Sequence, residues 1–331
     1  MTEKVLLTGG AGFMGLHLAR RLLRDGYEVH LVDNFSRAVR DPDLDHVLDQ
    51  PGVRFSDMDC LDHAAVSQLP TDFHYVIHLA AIIGVVHVMQ RPYRVLVDNL
   101  KLTDNLIEHA CRQPHLKRFL YPSTSEVYAG TLESFDLPIP TPETTPLAVT
   151  ELRRPRTSYM LSKISGECLC HYADLPYTIF RPHNVYGPRM GLVHVVPGQL
   201  QKAWDAADGD EVAVPSVDQT RCFCYVEDAL EQIMRMMTRP ECEGETLNLG
   251  TEKPELTIRE VAATCHEAVG RDVRIKPESP PAGSPDRRGP DMSRTEQLID
   301  YRSKVSLEEG VEQTYRWYFD HVFKSNGPSA R

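Results

Sequence analysis

The sequence predicts an α/β fold, a doubly wound parallel sheet with a smaller α/β C-terminal part. Three observations carry this. The chain opens on a short apolar run, Val5-Leu6-Leu7, which turns through Thr8-Gly9-Gly10-Ala11-Gly12 into an apolar-periodic helix from Phe13. Strand and helix patterns then alternate through the first half. The second strand pattern, from Tyr27, ends in an acid, Asp33, eighteen residues beyond Gly15.

Size and charge narrow the classes. A chain of 331 residues can bury the core of one large or two smaller domains. A net charge of −11 and the lack of a lysine-rich tract argue against nucleic acid as a partner. No apolar run approaches the ~20 residues a membrane span needs. Met1 lies four residues before Val5, which leaves no space for a signal peptide, so the expected setting is cytoplasmic. The 8 cysteines are then expected as free thiols. Cys168 and Cys170 would point to different faces of a helix, and Cys222-x-Cys224 lacks the repeat of a zinc site; no metal is expected.

The first element is a Rossmann-type glycine turn. Gly9, Gly12 and Gly15 allow a tight turn and close approach of the backbone to a phosphate. The helix N-terminus at Phe13 and Met14 offers unpaired N–H groups to a pyrophosphate. Asp33 can accept a hydrogen bond from an adenosine ribose and would repel a 2′-phosphate, which favours NAD over NADP. A polar loop follows from Asn34 to Asp43. Val53-Arg54-Phe55 reads as a third strand, leading to Asp59-Cys60-Leu61-Asp62. The fourth strand pattern, from Tyr75, ends in Leu79-Ala80-Ala81, whose small side chains leave space for a cofactor across the sheet edge. Val97 to Arg112 has helical periodicity, and Arg118 to Tyr121 reads as a fifth strand.

That strand runs into Pro122-Ser123-Thr124-Ser125-Glu126-Val127-Tyr128, which places hydroxyls and a carboxylate at a strand's carboxyl end. Residues 131–155 are rich in Pro, Thr and Glu and are expected to form a long loop, a candidate lid. The next helix carries Tyr159 and Lys163, four apart and so on one face. A neighbouring ammonium favours a phenolate, so the pair suits deprotonation of a sugar or alcohol hydroxyl.

Together, the glycine pattern, Asp33, the Ser123-Thr124 strand end and Tyr159-x₃-Lys163 resemble the extended short-chain dehydrogenase/reductase family. Arg181-Pro182-His183-Asn184-Val185-Tyr186-Gly187-Pro188-Arg189 and Arg221-Cys222-Phe223 resemble the segments by which its NAD-dependent epimerase/dehydratase members hold a nucleoside diphosphate. The resemblance extends to about Phe319. It implies bound NAD contacted by Gly9, Gly12, Phe13, Met14, Gly15, Asp33, Asn34, Asp59, Cys60, Leu79, Ala80, Ala81, Asn99, Tyr159 and Lys163. It implies a nucleotide-diphosphate sugar held by Asn184, Arg189, Arg221 and Arg288. Residues 1–180 would form the NAD-binding domain, to which the chain returns at about 220–250. Residues 181–219 and 251–322 would bind the nucleotide sugar, and 323–331 would be a flexible tail. The Val97–Arg112 and Tyr159 helices would pack into a homodimer.

The implied chemistry starts with Tyr159 taking a proton from the C4 hydroxyl as hydride passes to NAD, with Thr124 bonded to the same hydroxyl. Ser125 stands where 4,6-dehydratases carry an acid, which disfavours dehydration. Glu126 departs from simple 4-epimerases. The strand-end string, with Pro155-Arg156-x-Ser158-Tyr159, is closest to UDP-glucuronate decarboxylases. His183, where an aromatic is common, and Gly191 to Pro197 depart from that pattern. Decarboxylation and epimerisation at C4 or C5 both stay open. A catalytically silent NAD-binding regulator is disfavoured because both Tyr159 and Lys163 are present.

Overall fold

The computed structural model describes residues 2–135, 137–280 and 285–324. Its centre is a seven-stranded sheet. Six of its strands are β1 (Lys4–Thr8), β2 (Glu28–Asp33), β3 (Val53–Asp57), β4 (Tyr75–His78), β5 (Arg118–Pro122) and β6 (Tyr177–Pro182). The seventh, Thr246–Leu249, returns late in the chain to the edge beside β6. The order across the sheet is Thr246–Leu249, β6, β5, β4, β1, β2, β3, with every neighbour parallel.

The apolar run at the start is continuous because β1 is covered on both faces. Val5 and Leu7 pack with Leu16, Leu22 and Ile233, under helices Phe13–Arg24 and Val226–Thr238. Leu6 packs with Val76, Leu106 and Ile179, under helices Pro92–Cys111 and Pro155–Tyr172. The strand order reverses at β1, between β4 and β2, so the carboxyl ends there open a crevice suited to a ligand.

A smaller part is built from short strands. Thr220–Arg221 lies between Leu256–Thr257, antiparallel, and Arg287–Arg288, parallel. Glu211–Pro215 pairs with Arg274–Glu278. Their core is Val212, Val214, Val217, Ile258 and Ala262. Helix Ile258–Val269 starts in the capping box that Thr257 and Glu260 spell: Glu260 N–H donates to Thr257 Oγ1 at 3.1 Å, and Thr257 N–H to Glu260 Oε2 at 2.7 Å.

Local expectations fail in three places. Pro42–Leu48 is helical where a loop to Asp43 is expected, because Asp41 caps it by accepting from Leu44 N–H at 2.9 Å. Ala129–Ser134 is also helical, at the start of the expected 131–155 loop. The rest of that segment is tied down rather than poised as a lid. Thr131 Oγ1 donates to Pro146 O and accepts from Ala148 N–H, Thr141 N–H donates to Gly289 O, and a Cβ on Gly130 would overlap Ala148 O. Most of the expected tail lies outside the described residues; of 323–331, Phe323 is buried in the core.

Candidate active site

On the cofactor side the site is mostly backbone. A Cβ on Gly9 would fall 2.8 Å from Ala80 N, and one on Gly15 would fall 2.1 Å from Gly9 O. The turn therefore closes on itself and on the end of β4 only because these side chains are missing. Thr8 fastens it there: its Oγ1 meets His78 Nδ1 at 2.9 Å and accepts from Ala80 N–H at 3.2 Å. No side chain caps helix Phe13–Arg24, whose N-cap is Gly12, so the first-turn N–H groups at Phe13, Met14 and Gly15 face the crevice. Asp33 ends β2 beside the turn and accepts from Ala11 N–H at 3.0 Å and Phe35 N–H at 2.9 Å. Burial pushes its carboxyl up, and those N–H groups pull it back. This cradle fits a dinucleotide: an uncapped helix start for phosphate, and an acceptor carboxylate at the next strand end.

The other expected cofactor contacts divide. Asn34 Oδ1 accepts from Ser36 N–H and Asp59 Oδ1 from Leu61 N–H, local turns that shape the rim. Cys60 is buried in the core, and burial pushes its thiol up to about 12. Leu79, Ala80 and Ala81 continue past the end of β4. Asn99 is occupied by protein: it accepts from Ile82 N–H at 2.7 Å and donates to Ile82 O at 3.0 Å, which fixes the 80–84 loop.

Arg189 stands on this side rather than with the substrate arginines. It pairs with Asp41 at 2.6 Å and donates to Ala11 O at 2.6 Å and Val39 O at 2.9 Å. Its guanidinium clamps the glycine turn to the 39–41 loop.

Tyr159 and Lys163 share the inward face of helix Pro155–Tyr172. Lys163 Nζ donates to Pro122 O at 2.8 Å and lies 4.9 Å over the Tyr121 ring. The ammonium thus rests on the end of β5, not on the Tyr159 hydroxyl. Burial dominates both groups: it pushes Tyr159 up to about 12, opposed by the Thr124 hydroxyl and Arg37, and pulls Lys163 down to about 8. Thr124 also caps the 3₁₀ turn Ser125–Tyr128 by accepting from Glu126 N–H at 3.2 Å, and Ser125 is buried in that turn.

Glu126 faces the C-terminal part. Arg288 Nη1 donates to its Oε1 at 2.7 Å, and the attraction of Arg288 holds the carboxyl below its usual range against burial. Arg221 is the register partner of Arg288 on the neighbouring strand. Its guanidinium is buried and donates to Pro285 O at 2.7 Å and Thr220 O at 2.7 Å; burial, with Arg288 beside it, pushes it down to about 10. Asn184 has a left-handed backbone, φ 40°, and donates to Cys222 O at 2.9 Å, which ties the 181–189 and 221–223 segments together.

Behind the site lies a buried network that sequence reasoning missed. Glu167 holds Arg181 through two bonds, at 2.9 and 2.6 Å. Arg181 donates to Tyr128 Oη at 2.7 Å, and Tyr128 donates to Asn248 Oδ1 at 3.0 Å. Asn248 Nδ2 donates to Thr141 O and Asp291 O, both at 3.0 Å. One signal was available: Tyr159, Lys163 and Glu167 recur every four residues, so an acid lies on the buried face of the helix Pro155–Tyr172.

The sequence pattern of the NAD dependent epimerase/dehydratase family matches residues 5–250. The chain belongs to that family. A UDP-N-acetyl-alpha-D-glucosaminuronate decarboxylase of Bacillus cytotoxicus is 32% identical over 96% of this chain and 98% of its own. A UDP-glucuronic acid decarboxylase 1 of Xenopus tropicalis is 29% identical over 96% of this chain and 72% of its own. The UDP-glucuronic acid 4-epimerase of Bacillus cereus, solved with UDP-glucuronic acid and NAD, superposes with a TM-score of 0.80 at 26% identity, over 96% of this chain and 99% of that one. This family member is an NAD-dependent enzyme that modifies nucleotide sugars. Among the described residues no helix is long and apolar enough to cross a membrane.

Proposed function

We propose that the enzyme decarboxylates a UDP-uronate through a 4-keto intermediate. The observation that carries this is the Glu126–Arg288 pair beyond the strand end, at 2.7 Å. A guanidinium has five N–H groups, so Arg288 has donors besides the one on Glu126 to offer a carboxylate on the sugar. Bound NAD would supply hydride acceptance at C4 and return it later. Tyr159 takes the C4 hydroxyl proton while Thr124 holds that oxygen, and Lys163, anchored on Pro122 O, contributes positive charge. The resulting ketone lies β to the carboxylate, so loss of CO₂ leaves an enolate that Tyr159 or water reprotonates. Ser125 is no acid of useful strength, which disfavours loss of a C6 hydroxyl. Asn184 and Arg221 line the route for the substrate pyrophosphate.

The same reading assigns residues 1–180 and the 220–250 return to NAD, and 181–219 with 251–322 to the sugar nucleotide. It pairs helices Pro92–Cys111 and Pro155–Tyr172 across a two-fold homodimer. Epimerisation of the same uronate is the second reading, favoured by the likeness to the Bacillus cereus enzyme. Incubation with NAD and either UDP-glucuronate or its N-acetylated amino analogue tests both. A product lighter by one CO₂ supports decarboxylation, and an inverted sugar of unchanged mass supports epimerisation.

A further inference from the structure

Arg189 belongs to the segment that follows β6, five residues after Asn184, yet its side chain reaches the glycine turn. That side chain is only 8% exposed and has four partners. They are Asp41 Oδ2 and Ala11 O, both at 2.6 Å, Val39 O at 2.9 Å and Gly12 O at 3.4 Å. The Arg189 backbone is left-handed, φ 68°, which a residue with a side chain keeps only where its surroundings hold it. The surroundings here are the first turns of helix Phe13–Arg24. His17 Nε2 donates to Pro188 O at 2.9 Å. A Cβ on Gly187 would fall 2.6 Å from Val226 Cγ1 and 3.6 Å from Phe13 Cε2. The segment is thus pressed onto the helix start, and Arg189 turns back to the peptides just before it.

Those peptides lead into the N–H groups that face the crevice. Ala11 O shares a peptide unit with Gly12 N–H, and Gly12 O shares one with Phe13 N–H. Gly12 N–H closes the turn on Gly9 O at 3.1 Å, whereas Phe13 N–H is a first-turn donor that no side chain caps. A charged donor on a peptide carbonyl polarises the unit and strengthens its N–H. The ribose side is touched as well, since Ala11 N–H donates to Asp33 Oδ2 at 3.0 Å. The Arg189 charge also pulls the Asp33 carboxyl down against burial. Asp41 is fixed independently by accepting from Leu44 N–H at 2.9 Å, so it anchors the guanidinium from behind. A lysine would offer Asp41 the same charge. As a single point it could not fork onto Ala11 O and Val39 O together.

We propose that Arg189 is a positioning residue for the cofactor. It holds the Ala11 and Gly12 peptides so that the first-turn N–H groups stay aimed at the NAD diphosphate. This role is independent of the sugar chemistry, because decarboxylation and epimerisation both start from bound NAD. It also makes the segment after β6 part of the cofactor cradle.

Calorimetric titration of the full chain tests this, with NAD and with ADP-ribose, which keeps the diphosphate but lacks nicotinamide. Arg189→Ala should weaken both by the same factor, about tenfold or more. Arg189→Lys stands in if the alanine variant does not fold, and it should still bind NAD at least about fivefold more weakly than the wild type. Asp41→Asn keeps the helix cap and leaves Arg189 on its carbonyls, so its NAD affinity should stay within about threefold. Amide NMR reads the same role without an affinity. The Phe13 N–H should move downfield when NAD binds to the wild type, and the movement should shrink in Arg189→Lys. Wild-type NAD affinity in Arg189→Ala or Arg189→Lys would overturn the proposal. A loss in Asp41→Asn as large as that in Arg189→Ala would mean a structural brace between loops and would also overturn it. So would a Phe13 shift that ignores the substitution at Arg189.

Discussion

On the cofactor side the decisive contacts are made by backbone, with Gly9 closing on Ala80 N at the end of β4 and Gly15 on Gly9 O. On the substrate side they are made by side chains brought from far apart in sequence: Glu126 with Arg288, and Tyr128, Arg181 and His183 around Asn248. The electrostatics differ in the same way. Burial pushes Tyr159 and Lys163 towards their neutral forms, whereas Arg288 holds the Glu126 carboxyl below its usual range. The first pair suits proton transfer, which needs a group that can exist in both states. The second suits recognition, which needs fixed charge.

The largest expected effect breaks the proton-transfer side. Tyr159→Phe should lower turnover by at least ~10² while leaving NAD affinity nearly unchanged, as read by product assay and cofactor titration. Near-normal turnover would remove Tyr159 from the chemistry.

Gly15→Ala tests whether the cofactor side is built of backbone. Its Cβ would meet Gly9 O, and NAD binding should weaken at least about tenfold by calorimetry. Unchanged affinity would show that the turn can open at little cost.

Asn248→Ala tests the opposite construction. It strands Tyr128, His183 and two carbonyls, so unfolding in denaturant should show a loss of about 2–4 kcal/mol. A loss within experimental error would mean that the network does not hold these segments together.

The smallest effect concerns fixed charge. Glu126 is depressed below 4.5, chiefly by Arg288. Its contribution to stability is fully present above that value and is lost as pH falls through the lower folded value. Glu126→Gln should flatten the acid limb of the stability profile by a modest amount, because the carboxylate is partly exposed. An unaltered limb would argue that the pair is not held in solution.

The contrast also explains what could be read in the sequence. The sheet, the glycine turn, Asp33 and the capping box at Thr257 follow from periodicity and short spacing, so adjacent residues carry the signal. Tyr159 and Lys163 are legible because four residues bring them onto one helical face. Arg189 illustrates the opposite: nothing local says that its guanidinium turns back to Asp41 and Ala11. The 131–155 segment reads as a loop by composition, yet it is pinned by Thr131, Thr141 and Glu143 to partners up to about 150 residues away. Burial of His183 and Asn248 is likewise a property of packing, invisible to spacing.

The most direct test of the account uses UDP-glucuronate labelled with carbon-13 at its carboxylate, incubated with the NAD-loaded enzyme. The wild type should release labelled CO₂ and leave an unlabelled pentose nucleotide, and Arg288→Ala should abolish that release. Labelled carboxylate retained in a C4- or C5-inverted product of the wild type would contradict the account.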